Sequence, residues 1–127
     1  MNSIREETYS RLRSFKYAFE GLWYVIRTQH NAWIHAVFTV AVLVLGFWLR
    51  VTPFEWALLV LCMMAVWMGE FLNTAVEAVV DMVSPEFHPL AKTAKDVAAA
   101  AVLLGAIGSV IVGLIIFGPR LMTLFFG

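Results

Sequence analysis

Three apolar runs constrain this chain more than anything else in it: Ala32 to Leu49, Pro53 to about Met82, and Val97 to Gly118, the last without a single charged side chain. Each is long enough to cross a hydrocarbon core about 30 Å thick. A backbone in hydrocarbon must satisfy its own hydrogen bonds, so each run is expected to be a helix. Hydrophobic residues make up 61% of the sequence and the mean hydropathy is +0.82, far above a soluble domain of this size. Nine basic and nine acidic residues balance to zero, a basic density too low for a nucleic-acid partner. The expected fold is one all-α membrane domain: a surface helix over about 8–28 and spans over about 32–49, 54–82 and 92–118.

The boundaries carry their own signals. From Tyr9 to Ile26 the residues Leu12, Phe15, Phe19, Leu22, Trp23 and Ile26 recur at helical spacing, with Arg11, Arg13, Lys16 and Arg27 mostly on other faces. This predicts an amphipathic helix in the headgroup layer, its cations toward anionic lipid, with a soluble helix packed on a partner as the alternative. No cleavable leader is expected, because the first 28 residues are charged throughout. Arg50 closes the first span, and Thr52-Pro53-Phe54-Glu55 supplies a helix start: an N-cap Thr, a Pro at the first helical position, and a Glu placed to reach back. Ser84-Pro85-Glu86-Phe87-His88-Pro89 breaks the next helix, and Pro119-Arg120 is expected to end the last. Seven cations, Lys92 and Lys95 among them, flank the N-terminus and the second turn, against Arg50 and Arg120 on the other side. The positive-inside rule makes that first side cytoplasmic and puts the C-terminus outside.

The second span is not uniformly apolar. Glu70, Asn73, Thr74, Glu77 and Asp81 fall on one helical face, facing Lys95 and Asp96 at the start of the third span. Charges at membrane depth cost several kcal/mol unless paired, hydrated or bound to a cation, so the stripe marks a functional site. Oxygen ligands of this kind suit Mg²⁺, a Lys beside them can hold phosphate, and one free carboxylate can take a proton from an alcohol. Phosphoryl transfer and proton-coupled transport or interhelical scaffolding both satisfy these residues, and no Walker A or kinase glycine loop decides between them.

Other polar and aromatic residues read more plainly. His30 and His35 flank the start of the first span and are assigned as interfacial anchors, and His88 as a solvent- or phosphate-facing side chain. Trp23, Trp33, Trp48, Trp56 and Trp67 mostly mark membrane interfaces. Cys62 is a small apolar filler. Ala101, Gly105, Ser109 and Gly113 form a small-residue ridge suited to close helix contact, within the chain or with a second subunit.

The segment Glu70-Phe71-Leu72-Asn73-Thr74-Ala75-Val76-Glu77-Ala78-Val79-Val80-Asp81 resembles the signature E-x-L-N-[ST]-[SA]-[IV]-E-x-x-V-D of the prokaryotic diacylglycerol kinase family. The likeness extends through Ser14 to Gly21, Gln29 to His35, Ser84 to Lys92 and Ala94 to Ala99. It implies a lipid kinase of the bacterial inner membrane with a surface helix and three spans, a homotrimer whose active sites are shared between subunits. By that resemblance Glu70 is the base toward the lipid hydroxyl and contacts the substrate, while Asn73 orients its neighbours. Glu77 binds the Mg²⁺ that carries ATP, Lys95 and Asp96 contact the nucleotide, and Tyr17, Glu86, Phe87 and His88 add further nucleotide contacts. The lipid is undecaprenol or diacylglycerol, and the turn from Ser84 to Lys92 looks more like the undecaprenol-kinase branch.

Two positions depart from the family pattern. Gln29 stands where a metal- and nucleotide-binding Glu is usual, and Trp33 where a basic residue is common. A carboxamide oxygen coordinates Mg²⁺ without negative charge, so metal affinity falls unless Asp81 or Asp96 compensates. A divergent member with weak or no kinase activity, acting as a structural or transport module, remains the alternative.

Overall fold

The computed structural model describes residues 2–127, with side chains from Tyr9 onward. Four helices follow in order: α1 (Asn2–Thr28), α2 (His30–Trp48), α3 (Pro53–Val83) and α4 (Pro89–Phe126). The last three are long and apolar enough to cross a membrane. At 1.5 Å per residue the 31 residues of α3 extend about 46 Å and the 38 of α4 about 57 Å, so both outrun the hydrocarbon.

Each break has a local cause. Gln29 leaves the helical region at φ −95° and ψ 116°, separating α1 from α2 by a single residue. Between α2 and α3, the Val51 amide donates to the Gly46 carbonyl (3.1 Å) and the Arg50 amide to Phe47 (3.4 Å). That pair of bonds is a Schellman closure, and it places Arg50 at φ 49°, a left-handed conformation that favours glycine. The following helix starts as its sequence predicts. Thr52 accepts from the Glu55 amide, and the Glu55 carboxylate accepts from the Thr52 amide, a complete capping box.

Pro119 does not end the last helix, contrary to expectation: α4 runs through it to Phe126. Proline removes only the bond that would reach the Ile115 carbonyl, and neighbouring groups support the turn. The Arg120 guanidinium donates to the Ile116 carbonyl at 2.9 Å, and the Thr123 hydroxyl to the Pro119 carbonyl at 3.0 Å.

The two long helices pack as an antiparallel pair, and α2 lies against α3. Gly105 and Ser109 of the small-residue ridge face α3 of the same chain. A Cβ on Gly105 would sit 3.8 Å from the Val66 Cα, and the Ser109 hydroxyl reaches the Cys62 carbonyl at 3.3 Å. Ala101 stands exposed outside this seam. The pair is fastened at both ends, by Arg120 gripping Glu55 through two 2.7 Å bonds and by Lys95 meeting Asp81.

The apolar core occupies one end. Val51, Leu59, Ile116 and Phe117 are buried there, with Val42, Leu45, Trp56 and Val112 packed around them. Toward the other end the buried face of α3 turns polar, at Glu70, Asn73 and Thr74. Phe38, Leu61, Leu104 and Ile115 are among many large apolar side chains left exposed. The chain exposes 9885 Å², whereas a compact soluble protein of 14.3 kDa exposes roughly 6,800 Å². Its outer apolar surface therefore suits lipid or other helices rather than water.

Candidate active site

Glu70 is the most enclosed large side chain, with 1% of its surface exposed. It follows Gly69, where α4 comes close: a Cβ on Gly69 would lie 3.5 Å from the Val102 Cα. Neither carboxylate oxygen has a hydrogen-bond partner among the described residues. The His35 imidazole of α2 faces it, with Nε2 at 3.5 Å from Oε2. An unpaired buried carboxylate is costly, so a native fold keeps one where chemistry or an absent partner requires it.

The opposing helix is held in register by a short relay. The Trp67 indole N–H donates to the Thr39 hydroxyl (3.0 Å), which donates to the His35 carbonyl (2.8 Å). The His35 and Trp67 rings meet edge to face with centroids 6.3 Å apart. On α3 the Thr74 hydroxyl turns back to the Glu70 carbonyl at 2.8 Å, which accounts for a buried Thr beside the carboxylate.

One turn on, the Asn73 amide donates to Glu77 Oε1 at 3.3 Å, while Asn73 Oδ1 is buried without a partner. A free carboxamide oxygen beside a half-buried carboxylate is a hard-oxygen donor set. Among the described residues no three of His, Cys, Asp and Glu gather as a metal cage. The set therefore fits a cation that brings most of its own ligands, as Mg²⁺ does with water and phosphate oxygens. Gln29 is half-buried at the α1–α2 break, where its backbone N–H donates to the Val25 carbonyl at 2.9 Å.

Farther along, Asp81, Ser84, Pro85, Glu86, Phe87, His88, Lys92 and Lys95 line an open cleft of ≈ 410 Å³. Lys95 Nζ lies 2.5 Å from Asp81 Oδ1. His88 caps α4 by accepting from the Leu90 amide through Nδ1 (3.2 Å). Two lysines at a helix N-terminus make this end of the cleft suited to an anion. Asp96 does not line the cleft; it is exposed and paired with Lys92 one turn earlier on its own helix. Tyr17 is exposed on α1, where it shares a shallow groove with Tyr9, Ser10, Arg13 and Ser14.

The sequence reading, which took His35 as an interfacial anchor, missed its partner: the imidazole is half-buried and faces Glu70. An ionisable residue at membrane depth needs a partner, and Glu70 was the unpartnered acid; that pairing was the available signal. Trp67 likewise binds inside the helix packing, and Trp56 covers Gly46, where a Cβ would come within 2.6 Å of the indole. The Arg120–Glu55 clamp was hidden by taking Pro119 as the end of the helix.

Comparison with known proteins places these residues in a family. Residues 16–117 match the model described as prokaryotic diacylglycerol kinase. The undecaprenol kinase of Bacillus subtilis (strain 168) is 42% identical over 117 residues, covering 92% of this chain and 95% of that protein. The diacylglycerol kinase of Synechocystis sp. is 46% identical over 114 residues, 89% of this chain and 65% of its own length. The diacylglycerol kinase of Escherichia coli (strain K12) is 39% identical over 107 residues, 79% of this chain and 82% of that protein. The matched region holds the buried carboxylate, the Asn73–Glu77 pair and the lysine-lined cleft together, and the chain belongs to the prokaryotic diacylglycerol kinase family.

Proposed function

We propose that this chain is a membrane lipid kinase that transfers the γ-phosphate of ATP to the hydroxyl of a lipid alcohol. The observation that carries this reading is Glu70: a carboxylate 1% exposed, on a helix long and apolar enough to cross a membrane, with neither oxygen hydrogen-bonded among the described residues. Glu70 accepts the proton of the lipid hydroxyl. The alkoxide oxygen attacks the γ-phosphorus in line, and the bond to the β,γ-bridging oxygen breaks to release ADP. Lys95, released from Asp81, holds phosphate oxygens, and the turn at Glu86, Phe87 and His88 borders the nucleotide. Asp96 and Tyr17 join that contact only from the periphery.

Glu77 and Asn73 Oδ1 are the residues that would hold Mg²⁺, with Gln29 as a neutral third oxygen. The bound ion supplies charge neutralisation of the phosphates. Low protein ligand charge makes the site dependent on the nucleotide to bring the ion. Undecaprenol is the proposed acceptor in preference to diacylglycerol. Support comes from the Ser84–Lys92 turn and from the near full-length match to a protein named undecaprenol kinase.

The proposed assembly is a homotrimer with α1 lying on the cytoplasmic face of the bacterial inner membrane, nucleotide sites on that side and the C-terminus outside. The large exposed apolar surface and the sparse metal set of a single chain support an arrangement in which neighbours complete the site. The test is phosphate transfer from labelled ATP in vesicles, with Glu70→Gln and Glu77→Gln beside the natural chain. Glu70→Gln abolishes turnover without loss of assembly, and Glu77→Gln raises the Mg²⁺ requirement. Ion exchange in vesicles without ATP, with no labelled lipid at any Mg²⁺ level, would support transport instead.

A further inference from the structure

Phosphoryl transfer as proposed does not use the half-buried imidazole of His35. His35 has 14% of its side chain exposed, points Nε2 at Glu70, and has no hydrogen-bond partner for that nitrogen among the described residues. Its place is over-determined, by the Thr39 hydroxyl on its carbonyl, by Trp67 behind Thr39, and by the edge-to-face contact of the two rings. A side chain needed only to fill space between α2 and α3 would not call for an imidazole at a carboxylate. Two unpartnered polar groups 3.5 Å apart are complementary, because a carboxylate accepts only and a neutral imidazole has one N–H to give.

We propose that His35 is the positioning residue for Glu70: Nε2–H donates to Oε2 and fixes the carboxylate so that Oε1 faces the lipid hydroxyl. The inference rests on Glu70 being the base. In the step itself the hydroxyl proton moves to Oε1 as the oxygen–phosphorus bond forms and ADP departs, and Glu70 later returns that proton to solvent. His35 keeps its own proton throughout. Apo contacts of this kind are commonly long and shorten when substrate excludes water, which accommodates the 3.5 Å separation.

Full-length protein in lipid vesicles provides the test, using His35→Gln, His35→Leu and Glu70→Gln. Gln carries an N–H near the Nε2 position and Leu carries none. His35→Leu is expected to lower kcat about 100-fold with KM for ATP within about twofold, as misplacement of a reacting group does. His35→Gln should recover to within about tenfold of the natural chain. Independently of turnover, the ¹⁵Nε2 resonance of His35 should move on Glu70→Gln, which removes the carboxylate's charge.

A Leu variant as fast as the Gln variant, or a resonance that ignores Glu70→Gln, overturns the proposal. Thermal unfolding of each variant separates lost folding from lost positioning, and the resonance measurement needs no His35 substitution. If the natural chain transfers no phosphate while the resonance does move, the pairing stands. The lipid-kinase reading then fails, and the catalytic use of the pair fails with it.

Discussion

Lys95→Met separates a structural role from a nucleotide-binding role at the cleft. Lys95 meets Asp81 at 2.5 Å, but the two side chains are 37% and 65% exposed. After solvent screening, such a bridge contributes about 0.2–1 kcal/mol to stability. Removing it should therefore lower the unfolding midpoint by only a few degrees, on the order of 4–8 °C at most. If Lys95 holds the phosphates of ATP, the lost contact is to a charged group and costs about 1.5–3 kcal/mol. That converts to a rise in KM for ATP of about 10- to 150-fold, with the lipid KM little changed.

Initial rates over an ATP titration at saturating lipid, alongside a thermal melt, give both quantities from one preparation. Asp81→Asn supplies the converse arm. It frees Lys95 and should leave KM for ATP unchanged or lower. A Lys95→Met variant with unaltered KM for ATP and a large loss of thermal stability would refute the reasoning, making the pair a fastener only.

Three further outcomes follow from particular residues. Gln29→Glu should lower the Mg²⁺ concentration for half-maximal rate and raise turnover, read from a Mg²⁺ titration; no change would detach Gln29 from the metal. Arg50→Gly should stabilise the chain by about 0.5–1 kcal/mol in a denaturation series, because glycine relieves the left-handed backbone at φ 49° against its own entropy cost. Gly105→Ala should be close to neutral, since the added methyl stands at ordinary contact distance from Val66, whereas Gly105→Leu should force α3 and α4 apart and abolish assembly on gel filtration.

Much of this molecule was legible in one dimension because membrane helices must close their own hydrogen bonds and show it in composition. The capping box at Thr52 and Glu55 was read correctly from spacing, since both partners lie within one turn of each other. The stripe from Glu70 to Asp81 was legible for the same reason: residues on one face of one helix are fixed by its period. What lay between helices was not. Which side of α2 meets Glu70 depends on helix rotation, so His35 read as an anchor, and the seam at Gly105 and Ser109 could have belonged to either chain or partner. Lys95 and Asp96 are neighbours on α4 and point different ways: Lys95 meets Asp81 of the stripe, whereas Asp96 pairs with Lys92 on its own helix. Pro119 misled for a physical reason too, because its cost falls when neighbouring donors and helices support the turn.

The most direct measurement is phosphate transfer by the natural chain in vesicles holding undecaprenol and diacylglycerol in separate preparations, with ATP and Mg²⁺, read as lipid product by mass spectrometry. Undecaprenyl monophosphate should form faster than phosphatidic acid, and neither should form with Glu70→Gln. No phosphorylated lipid from either preparation, in protein whose helices and assembly are intact, would contradict the assignment of Glu70 as a base and of this chain as a lipid kinase.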